Sequence, residues 1–426
     1  MRRRLLAGIA VLVALGLLAP GLVGVLAQNR HEQRLEETIG AAPWLRITAE
    51  DFDRGWFRSR ARYRVELGEA LQKNPAPAAG TRRADAPALL IDSRLGHGPF
   101  ALGTGLVLAR IESQLTIVGA DHSPVTLPAP VITRIDLDGG GTAQYSGGPV
   151  RVETDGRRIH LTGAEIAARF DPEHLIVRGR LAALTAVDAH GRFEAAPLKF
   201  SVAHDVGDGG SSAYNVELQI PHAELTGREA RLSFSDLRFS HAETQSADRI
   251  AAAIAIRVEE LQVGERTLGP AVLRLQATDL DAVALDRLAT ANRDAESSEP
   301  GAALMALVAS GASASIDPLR VNTPDGEVSV TARFEFAEHP ANGGSALLGP
   351  GFSGALRLEV PQAIAAAAAA ARPQFELWLQ TLLDLGFVEA EQDRYRLNAE
   401  YRNGLLTVNG IPLPFPFGGT AAGESL

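Results

Sequence analysis

From Ser59 onward the dominant period of the sequence is two. In Ser59–Leu67, Ala61, Tyr63, Val65 and Leu67 fall on one side, and Arg60, Arg62, Arg64 and Glu66 on the other. Successive side chains of a strand point to opposite faces, so this pattern predicts strands with one buried and one wetted face. Val328, Val330, Ala332, Phe334 and Phe336 alternate in the same way with Ser329, Thr331, Arg333 and Glu335. Leu356, Leu358 and Val360 alternate with Arg357 and Glu359. Val150–Thr154 and Arg157–Leu161 flank Asp155-Gly156, and Tyr395–Tyr401 and Leu405–Asn409 enclose Asn403-Gly404. Both dipeptides favour the two-residue turns that close hairpins. Further strands are expected in Leu115–Val118, Arg192–Val202, Asn215–Ile220, Arg231–Phe239, Ile254–Leu261 and Leu273–Ala277.

Three segments read as helices. Asp281–Arg293 has Asp281 placed to cap it, and Gly301–Ser310 is short. Gln362–Leu385 contains the helix-favouring alanine run Ala365–Ala371; Pro373 should kink or divide it, and Gly386 should stop it. Runs of Gly, Pro, Ala and Ser at Asn74–Arg83, Gly139–Gly148, Gly207–Ser212, Ala295–Pro300 and His339–Pro350 read as exposed connections. The expected fold class is mainly β (α+β): extended antiparallel sheets able to curve into a groove, a few helices, and an N-terminal transmembrane helix.

That last helix is Leu5–Ala27, an uncharged apolar run preceded by Arg2, Arg3 and Arg4. As a helix it is roughly 33 Å long, enough to cross a bilayer's hydrocarbon core. Basic flanks resist translocation, so the arginines belong in the cytoplasm and the body in the periplasm, anchored in the inner membrane through Leu5–Ala27. Val25-Leu26-Ala27 before Gln28 also fits a signal-peptidase site, but the apolar run exceeds the usual signal-peptide core. The expected organisation is an anchor over 1–27, a polar stalk over 28–42, and a β-rich body over 43–416. The body has a point of subdivision near 295–300, and a disordered tail follows over 417–426.

The net charge is −10, and −13 without the three leader arginines (−10 − 3), which argues against a nucleic-acid partner. With no cysteine, neither disulfide nor thiol chemistry enters. No sequence pattern assigns a catalytic residue, a cofactor or a metal. His97 is the best single ligand candidate, but it lies in a turn-like His97-Gly98-Pro99 stretch that folding alone explains. The carboxylate pairs Asp136/Asp138 and Asp279/Asp281 fall short of a calcium loop. Gly351-Phe352-Ser353-Gly354 lacks the spacing of a nucleophile elbow and reads as following a loop. Gly103-Thr104-Gly105 lacks the third glycine of a dinucleotide fingerprint.

Six stretches taken together resemble the YdgA family of bacterial envelope proteins. They are Asp51–Ser59, His97–Phe100, Tyr145–Gly148 leading into Asp155-Gly156, Leu273–Asp281, Ser315–Leu319 followed by Asp325–Glu327, and Tyr401–Gly410. The resemblance implies a single inner-membrane anchor and a large periplasmic body, and it implies no catalytic residue. Three functions are then open. The first is a non-enzymatic scaffold or module that binds envelope proteins. The second is a carrier of lipids or amphiphiles in a groove like that of the AsmA-like proteins. The third is a hydrolase gathering His97 or another histidine with a serine or carboxylate.

Overall fold

The computed structural model describes residues 45–54, 58–67, 88–97, 107, 109–118, 124–136, 138–154, 156–207, 211–227, 231–291, 307, 310–336, 352–402 and 404–413. The leader, the stalk, the tail, Gly301–Ser310 apart from residues 307 and 310, and the stretch near 295–300 lie outside them. Strands form 73% of the described residues, so the mainly β expectation holds. The chain divides into two units, Met1–Asp205 with Ile220–Glu229, and Val206–Gln219 with Ala230–Leu426.

The first unit begins with β1 (Leu45–Arg54), β2 (Arg58–Leu67), β3 (Ala88–His97) and β4 (Ala109–Val118), each antiparallel to the next. The short β5 (Pro124–Thr126) and then β6 (Val131–Ile135) both pair with β4, and β6 pairs with β7 (Gly141–Gly147). Register fixes the faces. Tyr63 stands opposite Ala49 and Ile91, and Ile91 opposite Leu115. Ala61, Tyr63 and Val65 are buried, as are Leu89, Ile91 and Leu95, Ile111 and Leu115, and Val131 and Ile135. The intervening residues carry the charges, including the cross-strand pair Arg62–Asp92 at 2.7 Å.

Gly141–Gly147 is a strand, which corrects the expectation of an exposed connection over Gly139–Gly148. Its small residues answer to crowding. A Cβ on Gly141 would overlap the Arg134 carbonyl and crowd the Phe170 ring, and Ala143 is buried. Only Asp138–Gly140 turns, with the Gly140 N–H donating to Asp138 Oδ1 at 3.0 Å.

The next part of the unit is a meander of long strands, each interrupted at its middle. The segments are β8 (Val150–Thr154), β9 (Arg157–Leu161), β10 (Ala164–Phe170), β11 (His174–Leu181), β12 (Leu184–Asp188), β13 (Gly191–Ala195) and β14 (Leu198–Val206). β15 (Ser212–Gly227) closes the series, its residues from Ile220 belonging to this unit. The breaks at Gly148-Pro149, Thr162-Gly163, Ala182-Ala183 and Ala196-Pro197 lie side by side, so a crease crosses the strands. Pairing continues through it. Gly147 opposes Ala164 on one side and Val150 opposes Leu161 on the other, while the Thr162 N–H donates to the Ala183 carbonyl at 3.0 Å. Burial changes phase at this line: Ala143 and Tyr145 are buried before it and Val150 after it, and Ala195 before it gives way to Leu198 after it. The breaks therefore absorb one residue of phase in the strands they divide without slipping register. They also explain why Arg192–Val202, expected as one strand, is two.

The second unit continues with β16 (Arg231–Ser246), β17 (Arg249–Val258), the small hairpin β18 (Glu260–Val263) and β19 (Arg266–Leu268), and β20 (Ala271–Asp281). Helix α1 (Ala282–Ala291) leads to β21 (Ser313–Thr323), β22 (Gly326–Phe336) and β23 (Phe352–Pro361). Helices α2 (Gln362–Ala371) and α3 (Pro373–Asp384) precede β24 (Glu389–Glu391), β25 (Arg394–Arg402), β26 (Leu405–Val408) and β27 (Ile411–Leu413). The main strand order is β16-β17-β20-β21-β22-β23-β25-β26-β27, antiparallel throughout. The helical details follow the sequence reading. Asp281 Oδ1 accepts the Ala284 N–H at 2.7 Å, Pro373 opens α3 after a break at Arg372, and Gly386 takes φ +71° beyond its end.

Two predictions follow from the packing of the first unit. Gly179 lies opposite Phe200, and a Cβ there would overlap the Phe200 ring. Gly179→Ala should lower stability by about 1–3 kcal/mol in denaturant melts, the usual cost of overpacking. Burial pushes the Tyr63 phenol from 10.0 up to about 12. The unfolded chain therefore loses this proton first, so stability is intact below pH 10 and falls as the pH rises through about 12. Ultraviolet titration of tyrosinate should find one phenol that ionises last, and Tyr63→Phe should remove it.

Candidate apolar binding face

Register places one set of side chains on each face of the second unit. Phe239 opposes Ile256, which opposes Leu273, which opposes Leu319. Leu319 opposes Val330, Val330 opposes Leu358, and Leu358 opposes Leu397. The neighbouring row runs from Ile254 through Leu275, Ile316, Ala332, Leu356 and Ala399 to Val408. Irregularities within β20–β21 and β21–β22 keep these apolar rows aligned. One face is thus apolar across eight strands.

Most of these side chains are half-buried. Ile254, Ile256, Leu273, Leu275, Ile316, Val330, Leu356 and Leu358 are all of intermediate exposure, whereas Ile91 and Ile111 in the first unit are 2% and 1% exposed. Helix α1 contacts β20, and α2 contacts β23 and, more extensively, α3. An aromatic group forms part of the face. Phe352 stacks on Phe334 with centroids 6.2 Å apart and lies 5.0 Å from Phe336 and 5.2 Å from Tyr401. Gly354, between Phe334 and Tyr401 in register, leaves room for these rings.

The opposite face is charged, and its ions are paired along the strands. Arg238 meets Asp236 at 2.8 Å, Arg257 meets Glu259 at 3.0 Å, Arg333 meets Glu335 at 3.0 Å and Arg357 meets Glu359 at 3.1 Å. Glu359 also draws Arg394 and Arg396, at 3.6 and 3.4 Å. Residues two apart share a strand face, which is why the Arg-x-Glu spacing recurs.

One strand differs. On β16 the residues that share the apolar face after Phe239 are His241, Glu243 and Gln245, opposite Ile254, Ala252 and Ile250. His241 Nε2 lies 3.7 Å from Glu243 Oε2, with side-chain exposures of 24% and 38%. The Tyr214 ring meets His241 edge-on at 6.1 Å. Burial, and then the Glu243 charge, push the Tyr214 phenol up. Gln245 Nε2 donates to the Ala247 carbonyl at 3.2 Å. Sequence reading ended this strand at Phe239, because both faces beyond it are polar or small; only the pairing with β17 identifies the stripe.

The residues considered for chemistry serve the backbone. The His97 backbone ends β3, opposite Ala109, so it closes a strand; Gly98 and Pro99 lie outside the described residues, as does Gly103-Thr104-Gly105. Asp138 turns the β6–β7 hairpin and Asp281 caps α1. Ser353 lies within β23, opposite Glu335, and the residues that precede this strand lie outside the described ones. Asp171 accepts the N–H groups of Glu173 and His174, which holds its carboxyl below the ordinary range, and its bond to His174 Nδ1 at 3.0 Å pushes that imidazole up. Asp188 likewise accepts the N–H groups of His190 and Gly191. Among the described residues, no three His, Asp or Glu side chains gather as a metal would require, and no helix is long and apolar enough to cross a membrane.

The family model described as "Bacterial protein of unknown function (DUF945)" matches residues 1–416. No curated protein and no solved structure matches the chain.

If Asp281 serves as a cap alone, Asp281→Ala should cost about 1 kcal/mol in thermal melts, as removal of an N-cap does. Asp281→Asn should recover most of that loss, since its amide oxygen can accept the same N–H.

Proposed function

Because the chain belongs to DUF945, a bacterial family of unknown function, we propose its role from its architecture: a non-catalytic, membrane-tethered periplasmic protein whose second unit binds elongated apolar ligands. The single observation that carries this reading is the apolar face running across eight strands with its side chains half-buried. Apolar surface left in water favours association with whatever covers it, at about 25 cal/mol per Å². An acyl chain suits such a face, because it needs no directional partner from Ile254, Leu275 or Leu356. The apolar leader and the resemblance to the YdgA envelope proteins support the tethered placement. The AsmA-like groove is an analogy of architecture only.

A second reading, a docking module for envelope proteins, is favoured by α3. Leu377 and Trp378 are each 71% exposed, and Phe375 is 41% exposed on the same short helix. Exposed aromatic and leucine side chains of this kind are frequent anchors at protein interfaces.

The experiment that tests the first reading is photocrosslinking in intact cells, with a photoreactive residue at Ile316 or Leu356 on the apolar face and at Arg320 or Arg357 on the charged face. Lipid adducts should form from the apolar-face sites only. Adducts to protein alone, or none from either face, would sink the lipid reading. If α3 docks a partner, a photoreactive residue at Trp378 should give a discrete protein adduct that Leu377→Ser weakens. Sequencing the N-terminus of the membrane-bound protein tests the tether; a chain beginning at Gln28 would exclude it.

A further inference from the structure

We infer that the β16 stripe selects the polar end of the bound amphiphile, and that this end carries an ammonium group. The inference rests on the apolar-face reading and adds the ligand's chemistry to it.

Charge on the face carries the argument. Apart from Thr323, every position that register assigns to the apolar face from β17 to β26 is apolar, glycine or tyrosine. Neither Arg nor Lys stands among them; Arg257, Arg333 and Arg357 all belong to the opposite face, where acidic residues meet them. A phosphate or carboxylate lying on the apolar face therefore finds no arginine or lysine there. Glu243 is the one carboxylate in these rows, and its cross-strand neighbour on β17 is the small Ala252. His241 lies beside it at 3.7 Å, close enough to share a bound donor and too far for a good hydrogen bond of its own. Tyr214 closes the stripe edge-on against His241.

A carboxylate beside apolar surface attracts a cation more strongly than one in open water, because the low-dielectric neighbourhood screens it less. An ammonium group supplies both the charge and several N–H donors, enough to bond Glu243 and a neighbouring acceptor together. The alkyl chain then runs from the stripe onto Ile254 and Leu275, the nearest apolar positions in register.

The test uses the full chain in a neutral maltoside detergent with two photoreactive probes of equal length, a long-chain alkylamine and the matching fatty acid. Peptide mapping should find the alkylamine attached to β16 and β17 at concentrations about tenfold below those of the fatty acid, the size expected of one charge-assisted hydrogen bond. Glu243→Gln should erase that preference while labelling elsewhere on the face persists, and Glu243→Lys should invert it. Circular dichroism of both variants keeps the comparison to folded protein. Equal labelling by both probes, or a preference for the fatty acid that Glu243→Gln leaves unchanged, would overturn the head-group inference and leave the apolar face as a binding surface. Absence of either probe from the face would overturn the apolar-face reading, and this inference with it.

Discussion

The structure depends on the antiparallel ladder between strands that are near neighbours in sequence. A backbone N–H or C=O withdrawn from water must find a partner, and here neighbouring strands supply it. Side-chain period and strand pairing then act together. Once Tyr63 stands opposite Ile91, and Ile91 opposite Leu115, the face that each further strand buries is already decided. A slip of one residue at any pair would turn Arg62, Arg94 and Glu112 into the core. The crease in the first unit obeys the same constraint: its breaks change the phase of burial in adjacent strands at one line, so no pair loses register.

The two units apply this rule with different completeness. In the first, the buried face holds Ile91, Ile111 and Ala109 at 2%, 1% and 0% exposure. In the second, most Ile, Leu, Val and Phe of the corresponding rows are only half-buried, although Ile250 and Val408 are buried. The ladder stabilises both equally well, because backbone pairing does not depend on what covers a face. The hydrophobic contribution does, and the second unit retains apolar surface whose further burial is favourable.

Much of this was legible in the sequence, and the failures share a cause. The strict alternations in Ser59–Leu67 and Val328–Phe336, the Asp155-Gly156 hairpin, the Asp281 cap and the division of the long helix at Pro373 were all readable, because each rests on local chemistry. Gly141–Gly147 was misread because glycine and alanine look like a loop until the Arg134 carbonyl and Phe170 ring are placed beside them. The division of Arg192–Val202 at Ala196-Pro197 belongs to a line formed with other strands, and one strand's sequence does not contain it. The β16 stripe was hidden for the same reason: His241, Glu243 and Gln245 alternate with Ser240, Ala242 and Thr244, so neither face announces itself before Ile254 is set opposite His241.

The distribution of charge limits what the second unit can recognise. Carboxylates in turns accept backbone N–H groups, as Asp138, Asp171, Asp188 and Asp281 do. Carboxylates on strands meet arginines two residues away, as Glu259, Glu335 and Glu359 do. Exposed pairs of this kind contribute about 0–1 kcal/mol each, so their larger consequence is to keep arginine on the outward face. An apolar face stripped of cations in this way offers no counter-ion to an anionic head group. On the proposed reading, discrimination between ligands with equal tails comes from the polar groups that the face does contain, and its one carboxylate stands on β16.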